Sequence, residues 1–221
     1  MFKKVLVSDD LVSINLGILT VLERQKIPEV VSVQYCDDAF LKLKKAALDG
    51  VAFDLLISDL SFKQDHREQL YTSGPELIKA VKSEHTNLKV IVYTVEDRVQ
   101  KVRMLMQSIG VDAYVCKGRR GLIELNKAIE MVYNGYNYVS PILDHALKSY
   151  SDLEIEDYDI RLIDLLSKGF SQDQISDCFK EKNISPSSLS SIEKRINRLR
   201  IQFKANNVVH LVSIAKDLGF I

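Results

Sequence analysis

Two kinds of apolar pattern alternate through the first 133 residues, and then one of them stops. Short apolar or β-branched runs stand at Val5-Leu6-Val7, Val30-Val31-Ser32-Val33, Phe53-Asp54-Leu55-Leu56-Ile57, Val90-Ile91-Val92-Tyr93 and Asp112-Ala113-Tyr114-Val115. Each is bounded by charged or turn residues, as strands buried on both faces are. Between them lie segments of helical period, marked by Leu16, Leu19 and Leu22; by Phe40, Leu43 and Ala47; and by Leu77, Ile78 and Val81. Val99, Val102, Leu105 and Met106 mark the fourth, and Leu122, Leu125, Ile129 and Val132 the fifth. Ser73-Gly74-Pro75-Glu76 reads as a helix start, with an N-cap serine and a glutamate three residues on. Five strand-helix units in a row predict an α/β fold with a doubly wound, five-stranded parallel sheet. Ligands of such sheets bind outside the carboxyl ends of the strands.

After about residue 134 the strand signal ends. Asn134-Gly135-Tyr136-Asn137 and Ser140-Pro141 punctuate the chain. Helices are expected at 157–168, closed by Gly169; at 172–181, capped by Ser171; at 186–203, capped by Ser185 with Pro186 at its first position; and at 206–218, closed by Gly219. The expected organisation is an α/β domain over 1–134, a linker over 135–154 and a small all-α domain over 155–221.

Composition narrows the class without naming a partner. Among 221 residues, 30 basic side chains balance 30 acidic ones, so any attraction to nucleic acid must be local. No apolar run is long enough to cross a bilayer, and the opening residues meet Asp9-Asp10 before a signal-peptide core forms. Cys36, Cys116 and Cys178 are scattered, with no metal-ligand spacing, which suits reduced thiols. A soluble, cytoplasmic protein that does not engage a membrane is expected.

The chemistry gathers at strand ends. Asp9 and Asp10 follow the first strand and Asp59 the third, so three carboxylates converge where those strands are neighbours. Singly, each suits a helix cap. Together they repel one another unless a cation is present, which favours a hard, oxygen-seeking metal such as Mg²⁺. Thr94 follows the fourth strand and Lys117 the fifth, adding a hydroxyl and an ammonium to the same mouth. Lys117 is expected at a solvent-facing rim.

Ser8-Asp9-Asp10, Asp59, Thr94 and Lys117, with Tyr114 three residues before the lysine, resemble the receiver domain of two-component response regulators over nearly all of residues 1–133. The resemblance implies a flavodoxin-like receiver fold in which Asp59 accepts a phosphoryl group from a sensor kinase's phosphohistidine. It implies Mg²⁺ held by Asp10, Asp59 and the backbone carbonyl of Ser61, with Asp9 acting through water. It further implies that Thr94 and Lys117 meet the phosphoryl oxygens, while Tyr114 turns inward as Thr94 moves. Such a protein is a phosphoryl acceptor, not a turnover enzyme. The sequence departs from the family's pattern in a long loop from Leu60 to Ser73, in Val95, and in Gly118 after the lysine. Haloacid-dehalogenase phosphatases also group Asp, Thr and Lys around Mg²⁺, but their nucleophile follows the first strand.

The neutral total conceals a charge asymmetry in the tail. Residues 151–177 are acid-rich, whereas 183–204 carry Lys194, Arg195, Arg198, Arg200 and Lys204 against Glu193. On a helix starting at Pro186, Leu189, Ile192, Ile196, Leu199 and Phe203 form one apolar stripe. Ser187, Ser190, Ser191, Lys194, Asn197 and Arg198 form the opposite face, suited to a major groove. The run from Leu165 to Ile175, followed by Ile184-Ser185 and this basic helix, resembles a LuxR-type helix-turn-helix domain over about 155–221. That resemblance implies double-stranded DNA as a partner and a homodimer, paired through a helix carrying Val208, Leu211, Val212 and Ala215. Ser188-Leu189-Ser190 stands where the family has Thr-Val-Lys. The alternative is therefore a protein-binding phospho-switch or phosphate sink whose helical tail does not bind DNA.

Overall fold

The computed structural model describes residues 1–63, 65–144, 147, 155–218 and 220–221. The chain divides into two compact units, Met1–Asp97 with Lys101–Asp144, and His145–Ile221 with Arg98–Gln100. The first unit is built on a parallel sheet whose strands are β1 (Lys4–Ser8), β2 (Glu29–Val33), β3 (Leu55–Ser58), β4 (Lys89–Thr94), β5 (Ala113–Cys116) and β6 (Tyr138–Val139). Their order is β2-β1-β3-β4-β5-β6, with every neighbouring pair parallel. The chain runs from β1 outward to β2 and then crosses back to β3 on the other side. The carboxyl ends of β1 and β3 therefore flank the switch point where such sheets bind ligands.

The expected five strands are present, and β6 is an addition that the sequence pattern does not disclose. Gly135, at φ 82°, turns the chain after the fifth helix, and Tyr138–Val139 then pair with Ala113 and Tyr114. Asn134-Gly135 thus marks a turn into an edge strand, not the exit from the domain. The first unit continues to Asp144, so residues 135–144 do not belong to the linker; of the remaining expected linker, 145, 146 and 148–154 lie outside the described residues.

Helices α1 (Val12–Arg24), α2 (Cys36–Leu48), α3 (Gly74–Glu84), α4 (Val99–Arg103, continuing as a π-helical turn over Met104–Ile109) and α5 (Gly121–Tyr133) connect the strands. Their inward faces match the expected stripes in α3, where Leu77, Ile78 and Val81 are buried. In α1 the stripe is rotated: Ile18, Val21 and Leu22 are buried while Leu16 is 60% exposed. In α2 the buried alanines are Ala39 and Ala46 rather than Ala47, and in α5 Leu122 is exposed. Ser73 is the N-cap of α3 without a side-chain cap bond; Glu76 instead accepts from the backbone and hydroxyl of Thr72.

The second unit contains α6 (Asp157–Ser167), α7 (Gln172–Glu181), α8 (Leu189–Gln202) and α9 (Val208–Asp217). Gly169, at φ 84°, ends the first, and Ser171 with Gln174 forms a closed capping box on the second. Leu162, Ile163, Ile175, Phe179, Ile192, Ile196, Leu199 and Leu211 make its core. Helix α8 begins three residues later than expected, at the Ser188 cap, after a cis Ser185–Pro186 peptide. The Pro186 carbonyl accepts from the Tyr158 hydroxyl and the Ser187 carbonyl from Ser176, so these residues are committed to the preceding helices before α8 starts. The expected closing residue of the last helix, Gly219, lies outside the described residues. Among the described residues no helix is long and apolar enough to cross a membrane.

Candidate functional site

Parallel pairing sets the ends of β1, β3, β4 and β5 side by side, so the residues that follow each strand meet at one edge. Ser8 pairs with Ser58, and Thr94 with Cys116, placing Asp9, Asp59, Thr94 and Lys117 around one pocket. Carboxylate oxygens of Asp9, Asp10 and Asp59 all lie within 4.8 Å of one another. Asp9 and Asp59 are buried, Asp10 half-buried.

The Lys117 ammonium holds this group together. Its Nζ donates to Asp9 Oδ2 at 2.7 Å and to Asp59 Oδ2 at 2.5 Å, with its own side chain only 8% exposed. Lys117 is therefore not a rim group; it is the cation of a buried triad, because the two carboxylates that face it are themselves buried and draw the ammonium in. Backbone amides take up the other oxygens. Asp59 Oδ1 accepts from Leu60 N at 2.6 Å and, more weakly, from Ser61 N at 3.4 Å. Asp9 Oδ1 accepts from Leu11 N, so the helix-cap role and the pocket role coexist in one carboxylate. Burial raises the Asp9 carboxyl above its ordinary value, in spite of the opposing bond from Lys117.

Thr94 is fully buried, and its Oγ1 accepts from Glu96 N at 3.3 Å. Tyr114 already points inward: it is fully buried and its hydroxyl donates to the Glu96 carbonyl at 2.8 Å. Burial raises its phenol well above the ordinary range, so it acts here as a neutral donor. The Ser61 amide reaches Asp59, and Lys63 N donates to Asp10 Oδ2 at 2.8 Å, so the long loop contributes backbone groups to the pocket.

Two features were not legible as site residues. Asn15 is buried on α1 and its Nδ2 donates to the Asp9 carbonyl at 2.8 Å, while its Oδ1 has no hydrogen-bond partner. An amide among the apolar positions of a helix is the signal that marks it. Gly74 packs against the acceptor itself: a Cβ there would lie 2.0 Å from the Asp59 carbonyl oxygen. Cys36 and Cys116 are free thiols pushed up by burial to about 12 and about 11.

The donor set suits a hard cation, since three carboxylates converge and one ammonium offsets only part of their charge.

On the second unit, Ser190, Lys194, Asn197 and Arg198 are exposed along one side of α8, and Ser191 is half-buried. Ser187 is not on this helix and Leu189 is 44% exposed, so neither belongs to the face or stripe expected from the sequence. The Ser188 hydroxyl caps Ser191 N and bonds the hydroxyls of Ser190 and Ser191, giving these serines a helix-start role. Arg195, one of the expected cations, is turned inward onto Asp159 and Glu156. Leu211 and Ala215 are fully buried in the core of their own unit, so they are not available to a partner; the exposed apolar residue of α9 is Val209.

No family model and no curated protein sequence matches the chain. Solved structures do. A structure of the RcsB response regulator from Salmonella typhimurium, described in terms of conformational dynamism for DNA interaction, superposes with a TM-score of 0.67 at 21% identity, covering 97% of this chain and 99% of that one. A structure of two RcsB dimers bound to two parallel DNAs gives 0.63 at 22% identity, over 98% of both chains. The isolated receiver domain of RcsB from Salmonella enterica serovar Typhimurium, with the phosphomimetic BeF₃⁻, gives 0.52 at 23% identity over 65% of this chain and 96% of that one. At these identities the likeness is one of fold: a receiver-type α/β unit followed by a helical unit.

Proposed function

We propose that this chain is a DNA-binding response regulator that accepts a phosphoryl group on Asp59 from a sensor histidine kinase and regulates transcription. The observation that carries the proposal is the Lys117 ammonium bridging Asp9 and Asp59 at the switch point of the sheet. In the transfer, an Asp59 carboxylate oxygen bonds to phosphorus as the P–N bond of phosphohistidine breaks, and the imidazole leaves with the electron pair and takes up a proton. Such chemistry asks the protein for alignment and charge, not for covalent assistance. Leu60 N and Ser61 N orient the carboxylate, and the Lys117 ammonium is placed to follow the negative charge onto the phosphoryl oxygens.

Mg²⁺ fits the donor set, held by Asp10, Asp59 and the Ser61 carbonyl with Asp9 nearby; when bound it neutralises oxygens of the transferring group. The Thr94 hydroxyl supplies a donor to the phosphoryl group, which requires it to give up its contact with Glu96 N. Since Tyr114 is already bonded to the Glu96 carbonyl, the switch moves these two residues together rather than swinging Tyr114 from outside. The protein has no turnover activity of its own in this reading. It works in the cytoplasm, pairs as a homodimer and meets double-stranded DNA through Lys194, Asn197 and Arg198 on α8. RcsB, with the same fold, is described as dimers bound to DNA.

A protein-binding switch without DNA binding is favoured by one observation, the engagement of Ser188, Ser190 and Ser191 with one another. Two measurements decide. Incubation with an acyl phosphate and Mg²⁺ should add one hydroxylamine-sensitive phosphoryl group to the wild type and none to Asp59→Asn; labelling of the Asn variant refutes the acceptor. Binding to random DNA across a salt series should weaken as salt rises, and Lys194→Ala should flatten the slope by about one unit if a phosphate contact is lost. No binding at low salt leaves the protein-binding switch.

A further inference from the structure

The residue that follows the sixth strand has more partners than the end of an edge strand needs. The β5–β6 ladder itself spans two residue pairs, Ala113 with Tyr138 and Tyr114 with Val139. Ser140 extends it. Its N–H donates to the Tyr114 carbonyl at 2.9 Å, and its hydroxyl accepts from Cys116 N at 3.0 Å. The same hydroxyl donates to the Glu124 carboxylate on α5. Its carbonyl accepts from Leu143 N and Asp144 N, opening the helical turn over 141–144. Ser140 itself is fully buried, while its hydroxyl partners Cys116 and Glu124 are half-buried, so the serine end of each bond is shielded from water.

We propose that Ser140 is a positioning residue for the Lys117 end of β5, and that through it occupancy of Asp59 is transmitted to the chain leaving the first unit. The inference rests on Asp59 being the phosphoryl acceptor. The last peptides of β5 are held from two sides. Lys117 N donates to the Thr94 carbonyl on β4 at 2.7 Å, while Cys116 N donates to Ser140 Oγ on the β6 side. Tyr114 on β5 and Lys117 just after it are therefore in or next to a peptide group that Ser140 grips: Tyr114 through its carbonyl, Lys117 through the amide of the residue before it. A phosphoryl group on Asp59 gives the Lys117 ammonium a more highly charged partner and fixes the strand end more firmly. By linkage, whatever steadies the strand end steadies the bonds that Ser140 makes to it. The turn that leads toward the second unit begins on the Ser140 carbonyl and is steadied with it. A serine serving only as an edge-strand terminus would need neither the hydroxyl bridge nor the carboxylate behind it.

Amide hydrogen exchange of the full chain, with and without beryllofluoride and Mg²⁺, tests this. Loading of Asp59 is read independently by the ¹⁹F signal of the bound group. On loading, the amides of Cys116, Leu143 and Asp144 should exchange more slowly, by about threefold or more. Ser140→Ala should still load, and the slowing at Leu143 and Asp144 should disappear. Glu124→Gln, which keeps an acceptor oxygen for the serine hydroxyl, should retain it. Loading of the wild type with unchanged exchange at these amides overturns the proposal, as does a Ser140→Ala protein that keeps the slowing. Should Ser140→Ala fail to fold, the wild-type pattern alone decides. No ¹⁹F signal in the wild type would instead overturn the acceptor reading itself.

Discussion

Replacing Arg195 by alanine should unfold the helical unit more readily than removal of any other basic residue of α8. The guanidinium makes a paired contact with Asp159, through Nε and through Nη2 at 2.7 Å, and also reaches Glu156 at 3.2 Å. Asp159 is fully buried, and its carboxylate also accepts from Glu156 N to close the capping box at the start of α6. Without Arg195, that carboxylate remains in the core with one backbone partner. Breaking a buried pair from one side costs about 3–5 kcal/mol. The retained Glu156 amide and the 18% exposure of the Arg195 side chain place this case at the lower end. A loss of about 3 kcal/mol is a large share of what a unit of this size holds, and lowers its midpoint by more than about 10 °C. Urea-dependent hydrogen exchange at Leu162, Ile163 and Ile196 reads the helical unit within the full chain. Lys168→Ala, which breaks a pair exposed by 58% and 41%, is the control and should cost under about 1 kcal/mol. An Arg195→Ala protein within about 0.5 kcal/mol of wild type would refute the reasoning, since surface substitutions stay within that range.

The remaining expectations concern the acceptor, the acid limb and a helix cap. Gly74→Ala forces a methyl to within 2.0 Å of the Asp59 carbonyl oxygen and 2.6 Å of Leu60 Cα, so β3 or α3 must move. It should cost about 1–3 kcal/mol by chemical denaturation and slow acyl-phosphate labelling of Asp59; unchanged labelling would mean that the acceptor loop absorbs the shift freely. Burial raises the Asp112 carboxyl, but bonds from Lys82, Lys89 and Val90 N outweigh it and leave it below the ordinary carboxylate value. Its stabilisation is therefore complete above the ordinary value and lost as pH falls through the lowered folded one; Asp112→Asn should flatten that part of the acid limb, and an identical pH profile would contradict it. Ser188→Ala should remove the cap of α8 and cost about 0.5–2 kcal/mol of helical-unit stability in the same exchange experiment.

What the sequence determined by itself was set by local chemistry. Continuous apolar runs demanded buried strands, alternating lengths demanded crossovers, and aspartates just past the first and third runs meet at the sheet's edge once those strands are neighbours. The Ser171 box and Gly169 fixed helix ends because capping is decided within a few residues. Tertiary structure decided the rest wherever a partner lies far along the chain. Tyr138–Val139 is too short to carry a strand pattern and becomes one only because β5 offers an open edge. Lys117 is a bridging ion rather than a rim group because Asp9 and Asp59 stand 108 and 58 residues away in sequence but within 2.7 Å in space. Arg195 reads as one more cation of a basic helix until Asp159, 36 residues earlier, claims it. The start of α8 shows the same division. Proline and serine favour a first turn at residue 186, but the Pro186 and Ser187 carbonyls accept from Tyr158 and Ser176, and the first helical amides, Ser191 N and Ile192 N, bond the Ser188 carbonyl, so the helix begins there.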